Sequence, residues 1–321
     1  MTALAAPAAP QPLLELHALS KRFELAGGRT LHALDDVSLQ VHRHETLGLV
    51  GESGCGKSTL ARAAMRLLPV SGGRIVFDGD DITARPRRAL AAQRARMQMV
   101  FQDPYASLNP RLTIGRALEE PLIVQRRGAG AERRERVLAM LARVGLRADV
   151  AGRHPHEFSG GQRQRIAIAR ALMLEPELLV CDEAVSALDV SVRAQVLNLL
   201  LELRASFGLA LLFISHDLAV VRHMADRVAV MYLGRVVELA DRDTLWQAPR
   251  HPYTQALMAA EPGPGARARP QPLQGEVPSA LAPPGGCHFH PRCPQATERC
   301  SSESPALRTV GERHVVACHF A

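Results

Sequence analysis

Short apolar runs alternate with a segment of helical periodicity along the central part of this chain. The runs Thr46 to Val50, Leu178 to Cys181 and Leu209 to Ile214 have the length and apolar content of buried strands. A helical pattern, Val192 to Ser206, separates the last two runs. Because strand–helix–strand units pair their strands in parallel, the pattern predicts an α/β fold with a parallel sheet.

Two other patterns accompany this α/β core. Residues 13–49 form short apolar stretches broken by Gly27-Gly28, which is typical of antiparallel strands. Residues 114–171 carry apolar positions spaced by three and four, for example Val137, Leu141 and Val144, and this spacing predicts helices. We therefore expect one domain over residues 13–243, with an antiparallel β subdomain and a helical subdomain at about residues 103–170.

The two ends of the chain differ in composition from this domain. Residues 1–12 are rich in Ala and Pro and predict a disordered N-terminus. After Asp243 the chain is rich in Pro and Gly, so residues 244–321 are expected to form a separate, irregular C-terminal extension that buries little core of its own.

The composition excludes several classes of protein. The chain has 321 residues, of which 47% are hydrophobic, so it can fold around a sizeable core and is not intrinsically disordered. Its longest apolar runs have six residues, whereas a membrane-spanning helix needs about 20. No secretory signal pattern is visible at the N-terminus, which predicts a cytosolic location. The net charge of +7 favours an anionic partner such as a nucleotide.

A glycine-rich segment follows the predicted strand Thr46 to Val50 and opens a predicted helix, Lys57 to Leu68. Its order of glycines, lysine and serine matches the phosphate-binding loop, and the strand–loop–helix context is the one that this pattern requires. Glycines let backbone N–H groups converge on phosphate oxygens, and the lysine ammonium reaches the β- and γ-phosphates. An ordinary glycine turn does not compete with this interpretation. The candidate ATP-binding residues of the loop are Gly51, Ser53, Gly54, Gly56, Lys57, Ser58 and Thr59.

Polar side chains follow the predicted strands, where α/β folds place their ligands. Asp182, together with the Ser58 hydroxyl and the Gln102 amide, forms a candidate Mg²⁺ site. Glu183 would polarise the attacking water, and Gln102 and His216 are the other candidate catalytic residues. Adjacent carboxylates could also be a solvated turn, but the phosphate loop upstream favours the catalytic interpretation.

A second anion-binding segment, Ser159-Gly160-Gly161-Gln162, stands before a predicted helix over Gln164 to Leu174. Free N–H groups, a serine hydroxyl and the helix dipole favour phosphate at such a helix start. A chain with a single phosphate loop needs this second cradle only if another subunit brings the nucleotide. The segment therefore predicts a dimer.

These motifs together resemble the ATP-binding subunits of ATP-binding-cassette (ABC) transporters over about residues 13–243. The resemblance implies a P-loop NTPase of the ABC cassette fold, with Phe23 stacking on adenine and Asp189 in the D-loop. It also implies that Gln102 is the Q-loop glutamine and His216 the switch histidine. Two subunits would close head to tail, so that Ser159, Gly160, Gly161 and Gln162 contact the ATP of the partner subunit.

Further segments resemble the oligopeptide/dipeptide importers within that family, including His251-Pro252-Tyr253-Thr254 and the Cys-rich tail. The resemblance implies an F-type ATPase subunit at the cytoplasmic face of the membrane. Its partners would be a second, non-identical ATPase, two transmembrane permease subunits and, through the complex, an extracytoplasmic substrate-binding protein. The segment Asp103 to Arg116 and the helical insert would form the groove for a permease helix. Nickel and glutathione are alternative cargoes, and a soluble ABC ATPase acting on nucleic acid or the ribosome is the rival function; we expect no nucleic-acid partner.

Four cysteines lie in the last part of the chain: Cys287, Cys293, Cys300 and Cys318. Their spacing lacks the paired Cys-x-x-Cys knuckles of common zinc sites, but four thiolates can hold zinc or an iron–sulfur cluster. His288, His290 and His319 are close enough in sequence to compete as zinc ligands. The importer resemblance implies a [4Fe-4S] cluster as a structural staple, with zinc as the alternative and unligated or oxidised thiols as a further possibility.

Overall fold

A computed structural model describes residues 11–260 and 275–321 of the chain. Most of the predicted disordered N-terminus, residues 1–10, lies outside the described residues, and the first strand begins at Pro12. The strands are β1 (Pro12–Leu25), β2 (Arg29–His42), β3 (Thr46–Val50), β4 (Gly72–Phe77), β5 (Asp80–Asp81), β6 (Met97–Val100), β7 (Leu178–Asp182), β8 (Ala210–Ile214), β9 (Arg227–Tyr232), β10 (Arg235–Asp241), β11 (Arg308–Gly311) and β12 (His314–Val316). The helices are α1 (Lys57–Ala64), α2 (Ala91–Arg96), α3 (Pro104–Ser107), α4 (Ile114–Val124), α5 (Gly130–Arg143), α6 (Gly160–Leu172), α7 (Val190–Phe207), α8 (Leu218–Met224), α9 (Arg242–Gln247), α10 (Pro252–Ala259) and α11 (Glu298–Ser302).

The main sheet has eight strands in the order β11-β12-β10-β9-β3-β8-β7-β6. Strands β9, β3, β8, β7 and β6 are parallel neighbours, as the strand–helix–strand pattern predicts. Every residue of β3, β7 and β8 is buried, because helices cover one face of the sheet and α1 with the antiparallel sheet covers the other. The carboxyl ends of β3, β6, β7 and β8 therefore meet at one edge, where the polar residues follow.

The predicted antiparallel β subdomain is a separate four-stranded sheet with the order β2-β1-β4-β5. Gly27 and Gly28, both with positive φ, make the turn between β1 and β2. The register pairs Leu25 with Arg29 and continues, with several bulges, to the pair Pro12 and His42. This sheet carries the Phe23 side of the site.

The predicted helical insert at residues 114–171 contains three α-helices, α4, α5 and α6. Helices α4 and α5 are followed by two 3₁₀ turns, and α6 begins at Gly160. The sequence predicted that this last helix starts at Gln164, but it starts earlier, at Gly160. The reason is that Ser159 is its N-cap residue. No helix among residues 11–260 and 275–321 combines the length and the apolar character that crossing a membrane requires.

The C-terminal extension is less irregular than the sequence predicts. Residues 308–316 form β11 and β12, and β12 extends the main sheet by pairing antiparallel with β10 through Glu238 and Val316. Helix α10 is also regular, and its Tyr253 joins the same buried apolar cluster as Phe289 and the strands of the main sheet. The extension buries side chains against the cassette instead of forming its own core, since alone it has too few apolar residues to do so.

Candidate functional site

The phosphate loop connects the buried strand β3 to helix α1, as predicted. Gly51 has φ 153° and Gly56 has φ 105°, a region in which residues with a side chain are strained. A Cβ atom at Gly51 would lie 2.1 Å from the Met231 carbonyl oxygen, and one at Gly56 would lie 2.4 Å from the Ala33 carbonyl oxygen. Only glycine therefore fits these two positions, and the loop backbone stays open to a ligand.

Lys57 is almost completely buried beneath the loop that precedes it. Its Nζ atom donates hydrogen bonds to the carbonyl oxygens of Gly51, at 2.8 Å, and Glu52, at 2.9 Å. These bonds hold the ammonium at the centre of the loop, where a phosphate would meet a positive charge at the N-terminus of α1.

Asp182 ends strand β7 and faces Ser58 on the first turn of α1. The Ser58 hydroxyl donates a 2.8 Å hydrogen bond to Oδ1 of Asp182. Burial raises the pKa of Asp182, and this hydrogen bond opposes the rise. A divalent cation beside these two oxygens would stabilise the buried carboxylate, so the pair fits the predicted Mg²⁺ site.

The three predicted catalytic residues converge on one carboxylate oxygen. Gln102 donates a hydrogen bond of 3.0 Å from Nε2 to Oε2 of Glu183, and Nδ1 of His216 lies 3.5 Å from the same oxygen. Glu183 has a positive φ of 48°, which turns its side chain out of the strand end. The three residues lie far apart in sequence, and the parallel sheet brings them together.

A cavity of about 320 Å³ brings together much of the predicted site, although Gly51, Asp182 and His216 are not among the residues that line it. Phe23, Leu31 and Ala33 give it one apolar wall, which suits a nucleobase. Ala280 of the C-terminal extension also lines it, a contribution that the sequence did not predict. The polar lining consists of Ser53, Gly54, Gly56, Lys57, Ser58, Thr59, Gln102 and Glu183.

The predicted signature segment forms the start of α6. The Ser159 hydroxyl accepts a hydrogen bond from the Gln162 N–H, and the Gln162 side-chain oxygen accepts one from the Ser159 N–H. A Cβ atom at Gly161 would lie 2.3 Å from Cγ1 of Val192 on α7, so this position requires glycine. Ser159, Gly160, Gly161, Gln162 and Asp189, the N-cap residue of α7, are not among the residues that line the cavity in the described part of the chain.

The four C-terminal cysteines are near one another in the extension. Burial raises the pKa of Cys287, and the neighbouring thiols of Cys300, Cys293 and Cys318 add to this rise. The Cys287 N–H donates a 2.8 Å hydrogen bond to the Cys300 carbonyl oxygen. Within residues 11–260 and 275–321, however, no three His, Cys, Asp or Glu side chains converge as metal ligands. The structure thus gives no support to the predicted [4Fe-4S] or zinc site.

The sequence analysis missed two residues that contact the phosphate loop from the C-terminal extension. The Tyr253 hydroxyl accepts a hydrogen bond from the Glu52 N–H, and Arg292 forms an ion pair with the Glu52 side chain. The His-Pro-Tyr segment was noticed only as a family feature. Arg292 carried no signal, because it is one arginine among many in this chain.

Comparison with known proteins identifies both parts of the chain. Residues 34–186 match the family described as ABC transporter, and residues 237–300 match the one described as oligopeptide/dipeptide transporter, C-terminal region. A probable peptide ABC transporter ATP-binding protein of Sinorhizobium fredii is 54% identical over 96% of this chain and 89% of its own length. The dipeptide transport ATP-binding protein DppF of Escherichia coli is 49% identical over 96% of this chain and 94% of its own length.

Solved structures show the same fold. The dimeric structure of the ATP-binding cassette MJ0796 bound to ADP and Pi is 31% identical, with a TM-score of 0.66 over 71% of this chain and 98% of that chain. The predicted ABC cassette fold and ATPase activity are therefore confirmed. On these similarities, the chain belongs to the family of ABC transporter ATP-binding proteins.

Proposed function

We propose that this chain hydrolyses ATP at the cytoplasmic face of a membrane to drive the import of dipeptides or oligopeptides. The observation that carries the proposal is the match to an ABC transporter cassette followed by a C-terminal region of the oligopeptide/dipeptide transporter type. The names of the similar proteins from Sinorhizobium fredii and Escherichia coli support the same cargo class.

In the proposed mechanism the loop N–H groups and Lys57 bind the phosphates, and Phe23 contacts the adenine. Ser58, Gln102 and Asp182 would hold Mg²⁺, which neutralises charge on the phosphates when it is bound. Glu183 accepts a proton from the attacking water, since its carboxylate lies at the cavity wall next to Gln102. His216, whose Nδ1 lies 3.5 Å from the same carboxylate oxygen, would donate a hydrogen bond to the γ-phosphate.

The signature residues Ser159, Gly160, Gly161 and Gln162 would act on the ATP of a second ATPase subunit, with Asp189 at the same interface. They form a capped helix start outside the chain's own nucleotide cavity, as a contact in trans requires. The dimeric state of the similar cassette MJ0796 supports this arrangement. The partner proposed here is a non-identical ATPase, as the importer resemblance implies.

An apolar groove is the proposed docking site for a helix of a permease subunit. A cavity of about 440 Å³ lies between strand β6 and helices α4 and α6. Two large apolar side chains at its wall are exposed, Phe101 by 38% and Val124 by 71%. Such a patch on an otherwise polar surface favours a protein partner. The groove lies beside the predicted segment Asp103 to Arg116, and Ser107 of that segment lines it.

Substitutions on α4 and α5 test this docking site. Val124→Glu should abolish co-purification of the permeases from detergent-solubilised membranes, because it places a charge in the apolar groove, while ATP binding is kept. Leu138→Glu is the matched control, since Leu138 is 44% exposed on α5 and does not line the groove. Equal recovery of permeases with both variants would contradict the assignment of the groove.

A [4Fe-4S] cluster on Cys287, Cys293, Cys300 and Cys318 is part of the proposal, with zinc as the alternative. Burial raises the pKa of Cys287 and of Cys293, and such a group would stabilise these free thiols as thiolates. Anaerobically purified protein should contain about four iron atoms and four sulfides per chain. Cys318→Ser should lose them, whereas Cys181→Ala, a change in the buried strand β7, should not. Stoichiometric zinc would replace iron in the proposal. A protein that contains neither iron nor zinc would overturn the proposal.

The transport function is tested by affinity purification of the full chain from membranes of its native host, followed by peptide uptake. We expect two polytopic permeases and one related ATPase to co-purify, and labelled dipeptide uptake to disappear when Glu183 is changed to Gln. Uptake of nickel or glutathione in place of peptides would assign that compound, and not a peptide, as the cargo. Recovery with ribosomal proteins or nucleic acid instead would contradict the importer function.

A further inference from the structure

The C-terminal extension makes two polar contacts with one residue of the phosphate loop. The Tyr253 hydroxyl accepts a 2.8 Å hydrogen bond from the Glu52 N–H. Arg292 donates two parallel hydrogen bonds to the Glu52 carboxylate, from Nη1 to Oε2 at 2.8 Å and from Nη2 to Oε1 at 3.1 Å. Bidentate arginine–carboxylate pairs fix orientation as well as distance. Glu52 is therefore held from the extension at its backbone and at its side chain.

These contacts rest on a tightly packed aromatic cluster. Tyr253 of α10, Tyr232 of β9 and Phe289 of the extension have ring centroids 4.7 to 5.4 Å apart, and each side chain is 1% exposed or less. Two of the chain's three tyrosines are used here. Arg292 is only 5% exposed, and its Nη1 is also 3.4 Å from the Tyr232 hydroxyl. Well-packed aromatic side chains lose little freedom, so the cluster offers a rigid base.

Glu52 connects this base to the residue that binds phosphate. Its carbonyl oxygen accepts a 2.9 Å hydrogen bond from Nζ of Lys57. The peptide groups on either side of Glu52 thus contact Tyr253 and Lys57, while the carboxylate contacts Arg292. A change in the position of Glu52 would move the lysine ammonium and the N–H groups that form the phosphate cradle.

The charge of Glu52 gives a second reason for the ion pair. A carboxylate in a loop that receives a polyanion would repel it, and this repulsion is strong where water is excluded. The ion pair with Glu52 raises the pKa of Arg292, so the guanidinium stays charged and neutralises the carboxylate. Without Arg292 the loop would present an unpaired negative charge next to the phosphates.

We propose that Arg292 and Tyr253 are positioning residues for ATP binding, so that the C-terminal extension sets the nucleotide affinity of the cassette. They act through Glu52: Tyr253 fixes its backbone, and Arg292 fixes its side chain and cancels its charge. The proposal depends on the ATPase activity of the chain and not on the nature of the transported cargo.

Direct binding of ATP with Mg²⁺ to the full chain tests this proposal by titration calorimetry. Arg292→Gln should raise the Kd on the order of tenfold, because it removes the fork and leaves Glu52 charged. Adding Glu52→Gln to that variant should recover most of the affinity, since the double variant has no unpaired carboxylate. Arg292→Lys should retain part of the affinity through a single charged contact.

Two further variants separate positioning from general stability. Tyr253→Phe keeps the aromatic packing and removes only the acceptor of the Glu52 N–H, so it should raise the Kd about threefold with little change in Tm. Arg299→Gln is the matched control, because Arg299 pairs with Glu303 within the extension and both side chains are more than half exposed. It should leave the Kd unchanged.

Three results would overturn the proposal. One is an unchanged Kd in folded Arg292→Gln protein. Another is a loss of ATP affinity in Arg292→Gln that the added Glu52→Gln change does not relieve. The third is a lower Tm of Arg292→Gln with normal ATP binding below the unfolding transition, which would mean that the ion pair only stabilises the fold. In each case wild-type binding and hydrolysis of ATP would still stand, so failure here is distinct from failure of the ATPase function.

Discussion

The nucleotide site and the C-terminal extension differ in how their sequence relates to their structure. In the cassette, the predicted catalytic residues Gln102, Glu183 and His216 each follow a strand. The sheet brings the side chains of Gln102 and His216 close to the same carboxylate oxygen of Glu183. In the extension, residues with no motif around them, such as Arg292, make the decisive contacts. Local sequence patterns therefore identify the residues that carry out the chemistry, whereas only long-range packing shows which other residues hold them in position.

The sharpest test of the cassette side is Glu183→Gln. ATP turnover should fall at least about 100-fold, because the amide cannot accept a proton from water, while ATP binding is retained. Steady-state phosphate release and nucleotide titration measure the two effects. Glu202→Gln, an exposed position on α7, is the control for a lost carboxylate. Turnover at the wild-type rate would remove Glu183 from its role as general base.

The strongest expected effect on the attachment of the extension comes from Glu238, a cassette residue that is fully buried in β10 and contacts the extension. Its carboxylate accepts hydrogen bonds from the Arg250 N–H, the His251 N–H and Nε2 of His314. Glu238→Gln turns an amide N–H₂ towards these donors, so the free energy of unfolding should fall by about 3 kcal/mol. Urea denaturation measures this loss.

Glu298→Gln is the matched control for Glu238, because Glu298 is an exposed glutamate of α11 in the extension that Glu238 contacts. It should change the free energy of unfolding by less than about 0.5 kcal/mol. Equal stability of the two variants would mean that the buried carboxylate does not anchor the extension to the main sheet.

A smaller effect concerns His251, the N-cap residue of α10, whose Nδ1 accepts a hydrogen bond from the Tyr253 N–H. Burial lowers the pKa of His251 to about 3 from its ordinary value of 6.5. The unfolded chain therefore binds a proton below pH 6.5 that the folded chain does not bind. Stability is fully present above pH 6.5 and is lost as the pH falls towards 3, by up to about 1.4 kcal/mol per pH unit.

His251→Asn keeps a capping acceptor and removes this titration. Between pH 7 and pH 5 the wild-type chain should lose about 2 kcal/mol more than the variant in urea denaturation. His223→Asn, an exposed histidine of α8, should follow the wild type. Identical losses in the wild type and His251→Asn would show that the histidine is not held neutral in the folded chain.

The sequence by itself identified the phosphate loop, the polar residues that follow the parallel strands and the Ser-Gly-Gly segment near the start of α6. These features are local, since a glycine pattern, an apolar run or a capping serine acts within a few residues. The bounds of β3 agree with the prediction, whereas α6 begins earlier, because sequence periodicity does not show which polar residue caps the helix.

Only the tertiary structure decided that the extension completes the main sheet and contacts the phosphate loop. Glu52 and Arg292 are 240 positions apart, and no periodicity or motif connects residues at such a separation. The pairing of β12 with β10 and the placing of Ala280 at the nucleotide cavity follow from the same packing. The physical reason is burial: a Pro-rich segment with few apolar residues gains stability only against the surface that the cassette offers.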